Sequence, residues 1–140
     1  MEHFHLTHLP DGFEVRMSAS LTLVDRAVDE TKRLLKSRNI KSPLFATIIT
    51  IREGLTNAVR HGVADGESDI RFAIMVGSRT IRMEFEDNGP GFDWEHAFKT
   101  ETPTDAEGGR GIEIIRQYSH SMVYSKGGRL LHVTIRRASL

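Results

Sequence analysis

The sequence predicts an α+β fold, a two-layer sandwich in which helices cover one face of a mixed, mostly antiparallel sheet. Three observations predict it. Apolar residues alternate with polar ones in short segments, as at Phe13, Val15 and Met17, the period of a half-buried strand. Residues 70–76 and 81–85 alternate on either side of "GSR", which reads as an antiparallel hairpin. Longer segments instead carry apolar residues at helical spacing, and helices set against such a sheet make two layers.

Taken in order, Phe13, Val15 and Met17 form the first strand. Val24, Ala27, Val28, Thr31 and Leu35 then recur at helical spacing, with Ser20 or Thr22 available as the cap. "KSRNIKSP" reads as a linker. A second helix runs from about Leu44 to His61 and stops at Gly62, where a left-handed C-cap suits glycine. Ile70, Phe72, Ile74 and Val76, then Ile81, Met83 and Phe85, supply the hairpin, which ends on Glu86 and Asp87. Residues 93–108 are mostly polar, include Pro103, and read as a mobile lid. A helix beginning near Gly111 turns Ile112, Ile115 and Tyr118 inward, and "SMVYS" and "LLHVTIRR", joined around Gly127 and Gly128, complete the sheet. With no internal repeat and no second zone of composition, residues 1–140 are expected to form one domain.

Composition narrows the function. Nineteen basic and nineteen acidic residues balance to a formal charge of zero, which gives no field to draw the chain onto nucleic acid. Arg129, Arg136 and Arg137 read as solvated strand residues. No apolar run approaches the ~20 residues that span a bilayer, and "MEHFHLTHLP" lacks the features of a signal peptide, so a cytoplasmic protein without membrane contact is expected. The absence of cysteine removes disulfides and thiolate metal sites. His3 and His5 would share one face of a strand, but no nearby carboxylate or thiolate completes a metal site.

Three motifs carry the chemistry. In "EGLTNAVRHG" residues four apart stack on one helix face, so Glu53, Asn57 and His61 form a polar ladder, while Ile48, Ile51, Leu55, Ala58 and Val59 supply the apolar side. In "EDNGPGFD" Asp87 ends a strand and is followed by Gly89 and Gly91, backbone that turns sharply and lets a ligand approach. In "GGRGIEII" Gly108, Gly109 and Gly111 precede an apolar helix, and free N–H groups at a helix start suit a phosphate. Each alone has an ordinary reading as a solvated face, a turn or a hinge. Their order along the chain is what gives them weight.

With these motifs the chain resembles the GHKL superfamily of ATPases, the Bergerat fold of gyrases, heat-shock chaperones, mismatch-repair proteins and histidine kinases. Within it the sequence looks most like the stand-alone anti-sigma-factor serine kinases of bacterial partner switching, since no helical module with a phosphorylatable histidine and no transducing domain is apparent. The resemblance implies that Asn57 coordinates Mg²⁺ between the ATP phosphates and that Asp87 accepts a hydrogen bond from the adenine amino group. It implies that Gly89 and Gly91 let the backbone pass the nucleotide, that Gly109 and Gly111 help close over the phosphates, and that Glu53 is the catalytic base. His61 either faces a phosphate or satisfies the helix end, and Arg110 either touches a phosphate or is solvated. Family members usually open the last strand with a Gly-Thr pair near the adenine. Here that stretch is "GGRLLHVTIRR", and Thr134 falls too late to fill the role.

The implied function is an ATP-dependent serine protein kinase and anti-sigma factor that phosphorylates an anti-anti-sigma protein of the STAS type and sequesters a sigma factor. The implied partners include a second copy, paired through the first strand and helix. The alternative is a nucleotide-gated binding switch with little or no transfer.

Overall fold

A computed structural model describes residues 2–41, 43–62, 69–90 and 109–137, with backbone alone at residues 61, 62, 109 and 110. The elements are β1 (Phe4–Leu9), β2 (Gly12–Ser18), α1 (Leu21–Ser37), α2 (Leu44–Gly62), β3 (Asp69–Val76), β4 (Thr80–Asp87), α3 (Gly109–Tyr118), β5 (Ser121–Ser125) and β6 (Leu130–Arg136). Six strands make one sheet in the order β1-β2-β3-β4-β6-β5. Every described pairing is antiparallel, so the parallel component of a mixed sheet is absent among the described strands. The connection through α1 and α2 explains this between β2 and β3. One helix runs down the sheet and the other back up, so β3 starts beside the end of β2, with Asp69 opposite Ser18.

Register places the core. Leu6, Val15, Phe72, Phe85, Leu131 and Tyr124 pair in succession across the sheet, one residue per strand, all on the helix-covered face. Phe72 stacks between Phe13 and Phe85, with ring centroids at 5.9 and 5.2 Å. The helices close the layer with Ala27, Val28 and Leu35 of α1, Ile51 and Leu55 of α2, and Ile115 of α3. Glu14, Arg71, Glu84 and His132 project on the other face, where the side chain of Arg71 bridges Glu84 and Glu86 at 2.8 and 2.9 Å. The outer face is polar and the inner face apolar, as one-sided burial of an antiparallel sheet requires.

Two features extend the sequence reading. The sheet begins at Phe4 rather than Phe13, because "LPDG" makes a tight turn that folds β1 back on β2. Gly12 is fixed there by space: a β-carbon would stand 1.8 Å from the backbone oxygen of Ile74. The stretch "KSRNIKSP" is also more than a linker. Asn39 adopts φ 58°, and the N–H groups of Asn39 and Ile40 donate to the carbonyls of Lys36 and Leu35. This is a Schellman stop, and it sets Ile40 against Leu35 before α2 begins. Ser20 takes the N-cap position of α1 in extended backbone, without a side-chain cap bond. Among the described residues no helix is long and apolar enough to cross a membrane.

Candidate nucleotide-binding site

The site lies where α2, the end of β4 and the start of α3 meet. On α2 the apolar side buries Ile51, Leu55 and Ala58, and this rotation turns Asn57 inward, leaving it 4 % exposed. Neither its Oδ1 nor its Nδ2 has a hydrogen-bond partner among the described residues. An unpaired buried polar group costs about 1–3 kcal/mol, so a fold that keeps two such atoms has a reason to keep them.

Glu53 stands one turn earlier on the same face, partly exposed. The first turn of α3 crosses both residues at Gly111, where a β-carbon would lie 2.8 Å from Glu53 Oε2 and 3.2 and 3.3 Å from Nδ2 and Oδ1 of Asn57. A larger residue here would push the Glu53 carboxylate aside and crowd the Asn57 amide. A carboxylate, an amide and the N-terminal turn of a helix therefore converge on one spot, and the helix end favours negative charge beside it.

Next to this polar corner is a narrow cleft lined by Gly54, Asn57, Ala58, Phe85, Asp87, Tyr124, Gly128, Arg129 and Leu131. Its floor is the right-hand end of the cross-strand row, Phe85, Leu131 and Tyr124. Gly54 lets α2 sit directly on Phe85, since a β-carbon there would come within 2.6 Å of the ring. The free space between these residues is about 20 Å³, the room of one water. Of the nine lining residues only Arg129 is exposed.

Asp87 follows Phe85 on the same face of β4 and is buried. Its Oδ1 accepts from the Gly89 N–H at 2.8 Å, a turn that fixes the carboxylate against its own loop. Its backbone N–H donates to the Arg129 carbonyl at 3.0 Å, and Arg129 Nε donates to the Gly89 carbonyl at 2.8 Å, tying this loop to the turn before β6. That turn runs left-handed through Lys126, Gly127 and Gly128, at φ 52°, 66° and 90°. Burial, with the charge of Asp87 second, pushes the Tyr124 phenol far above its ordinary range, so it keeps its proton and with it a donor. From the other side Asn88 Oδ1 accepts from the Asp69 N–H at 3.1 Å. Asp69 also holds His3 Nε2 at 2.5 Å, and His3 Nδ1 meets the Ser18 hydroxyl at 2.9 Å.

The structure thus brings Glu53, Asn57, Asp87, Gly89 and Gly111 to one end of the molecule. Gly109 opens α3, and His61 lies on the last turn of α2. The side chains of His61 and Arg110, all of Gly91, and the lid expected over residues 93–108 lie outside the described residues. Arg129 stands on the cleft wall, rather than being only a solvated strand residue. Gly54, Phe85, Tyr124, Gly128 and Leu131 escaped the sequence reading. The inward parity of Phe85 just before Asp87 was the available signal for one of them. Thr134 points to the outer face at the far end of β6, beside Arg82 and Ser121, and takes no part in the cleft. His3 does gain a carboxylate, Asp69, yet the described residues hold no cluster of three or more metal-binding side chains.

Residues 17–137 match the histidine kinase-like ATPase domain. The chain belongs to the histidine kinase-like ATPase family. A search of curated proteins finds no match. Family membership makes this an ATP-binding domain, and the corner and cleft just described are the candidate site in it.

The residues also fit Mg²⁺. Asn57 Oδ1 is a neutral, buried oxygen without a partner among the described residues, of the kind Mg²⁺ accepts beside phosphates and waters.

Proposed function

We propose that this chain is a serine protein kinase and anti-sigma factor of a bacterial partner-switching system, phosphorylating an anti-anti-sigma protein of the STAS type and sequestering a sigma factor. The observation that carries the reading is the convergence of Glu53, unpaired Asn57 and the first turn of α3 at Gly111. The likeness of "NAVRHG", "DNGPGFD" and "GGRGIEII" to anti-sigma-factor kinases supports the choice of substrate class.

In this reading Asp87 and the Phe85–Leu131–Tyr124 floor hold the adenine, Asn57 holds the metal, and the N–H groups at Gly109 and Gly111 receive phosphate oxygens. Mg²⁺, when bound, neutralises charge on the phosphates. Glu53 takes the proton of the substrate serine as its oxygen bonds to the γ-phosphorus, and the bond to the ADP oxygen breaks. Glu53 then returns the proton to solvent. A homodimer through the N-terminal end belongs to the same reading, supported by β1 standing at the sheet edge and by exposed Leu21 at the start of α1.

The test is incubation with ATP labelled on its γ-phosphate, Mg²⁺ and an anti-anti-sigma protein, with Glu53→Ala in parallel. Label on a partner serine with the intact chain and none with the variant, at unchanged ATP affinity, is the expected result. Full transfer by Glu53→Ala removes Glu53 as the base. ATP binding without transfer to any of a panel of partners turns the protein into a nucleotide-gated binding switch.

A further inference from the structure

At the end of the molecule away from the nucleotide corner, the Schellman stop of α1 and the first turn of α2 enclose a groove of about 340 Å³. Leu35 and Ile40, 1 % and 5 % exposed, lie beneath it, and Leu44, 40 % exposed, is the apolar side chain it leaves open. Lys32, Lys36 and Lys41 rise around it, and Asn39 closes one side. No ion pair engages any of these three lysines among the described residues, although α1 pairs Arg33 with Glu30 and Asp25 with Arg52 elsewhere on its surface. The residue after Leu44, Phe45, is 65 % exposed but stands on another face of α2, where it meets Tyr118 of α3 edge-on at 5.5 Å. Large exposed apolar side chains are few in the described structure, and Leu44, one of the four, stands in this groove.

The geometry points to this groove as the docking site for an acidic amphipathic helix of a partner protein, which seats leucine-sized side chains against Leu44 and the lysine stems above Leu35 and Ile40 and sets carboxylates against Lys32, Lys36 and Lys41. Charge complementarity selects the partner. Three cations without an ion pair among the described residues ring the groove, which no carboxylate lines. Concavity selects a protein rather than a bilayer or a nucleic acid. The apolar surface is recessed beneath lysine stems, as helix-in-groove recognition needs, and no arginine lines it to bind phosphate in a fork. The inference does not rest on the proposed kinase activity. Leu44 and Asn57 are thirteen residues apart on one helix, about 20 Å, so an occupant here leaves the nucleotide corner open.

The test is a titration of the isotope-labelled full chain, followed by NMR, with a synthetic glutamate-rich helical peptide carrying leucines at i, i+3 and i+4. The expected result is saturable shifts at the amides of Leu35, Asn39, Ile40 and Leu44, weakened by salt, and about tenfold or greater loss of affinity in Leu44→Glu and in Lys36→Glu. Arg82→Glu, on the outer sheet face, leaves binding unchanged. Both groove positions are exposed enough to change without unfolding the chain, which circular dichroism checks. Four results overturn the proposal: no saturable shifts at those amides, equal binding of a peptide with lysine in place of glutamate, equal binding of a peptide with its leucines dispersed around the helix, or variants that bind as tightly as the parent. Phosphatidylglycerol vesicles that bind the chain through Leu44 while the peptide does not would assign the groove to membranes and overturn it as well.

Discussion

Gly54→Ala is ordinarily a stabilising change and here should be the opposite. Inside a helix, alanine is favoured over glycine by about 1 kcal/mol. At Gly54, however, the new β-carbon would lie 2.6, 2.7 and 2.8 Å from three atoms of the Phe85 ring. Carbon atoms rest about 3.5–4.0 Å apart, so roughly 1 Å must be found. The ring has little freedom to yield it, being 3 % exposed and packed against Phe72 at 5.2 Å between centroids, and α2 is in contact with both α1 and α3. Overpacking of this kind costs about 1–3 kcal/mol. Set against the helix gain, the expected net effect is a loss of about 0–2 kcal/mol, read as a lowered urea midpoint at unchanged m-value. Because Gly54 and Phe85 both line the cleft, ATP affinity should fall in the same variant. A variant stabilised by the full helix-propensity gain, with ATP binding intact, would refute the close packing of α2 on β4 and the cleft built from it.

Three further outcomes follow from the same geometry. Asp87→Asn should weaken ATP binding more than about tenfold in calorimetric titration, since a charge-assisted acceptor is lost from a buried position. Thr50→Val should raise the unfolding free energy by about 1 kcal/mol in urea titrations, because its hydroxyl is wholly buried and makes no hydrogen bond among the described residues. The hydrogen bond from Lys126, with that from Arg71 second, holds the Glu86 carboxyl below its ordinary value of 4.5. A lowered carboxylate stabilises the fold fully above the unfolded value and ceases to do so as pH falls through the folded one. Tm should therefore drop below about pH 4.5 partly through Glu86, and Glu86→Gln should flatten that part of the acid limb.

Much of the fold was legible because the strands and helices here follow their periods. The span predicted for α2 begins at the observed residue, and the observed helix ends on Gly62, because "LFATIITIREGLTNAVRHG" keeps a consistent apolar face. β1 was not legible from alternation alone: an edge strand buries only part of one face, and Phe4 and Leu6 give too short a pattern. Its real signal was the turn "PDG". The polar corner could be located because Glu53, Asn57 and the glycines are defined by residue type. The floor of the cleft could not, because Phe85, Leu131 and Tyr124 look like any inward strand residues. Only the pairing register sets them side by side under Gly54.

The two unsatisfied positions on α2 show why the structure adds more than a list of neighbours. Thr50 and Asn57 are seven residues apart, both buried, both with polar atoms that have no partner among the described residues. By stability alone they are the same defect, and an apolar replacement of similar size should relieve either. Their surroundings separate them. Asn57 lines the cleft and lies against the first turn of α3, whereas Thr50 is outside the cleft lining. An unpaired amide at the wall of an ATP-binding domain's cleft is positioned to be completed by a ligand. An unpaired hydroxyl sealed from the cleft is not. Valine at position 50 should therefore stabilise the chain and leave nucleotide affinity alone, while leucine at position 57 should stabilise the free chain comparably and abolish its response to Mg-ATP. Equal effects of the two changes on nucleotide binding would place the ligand somewhere other than this corner.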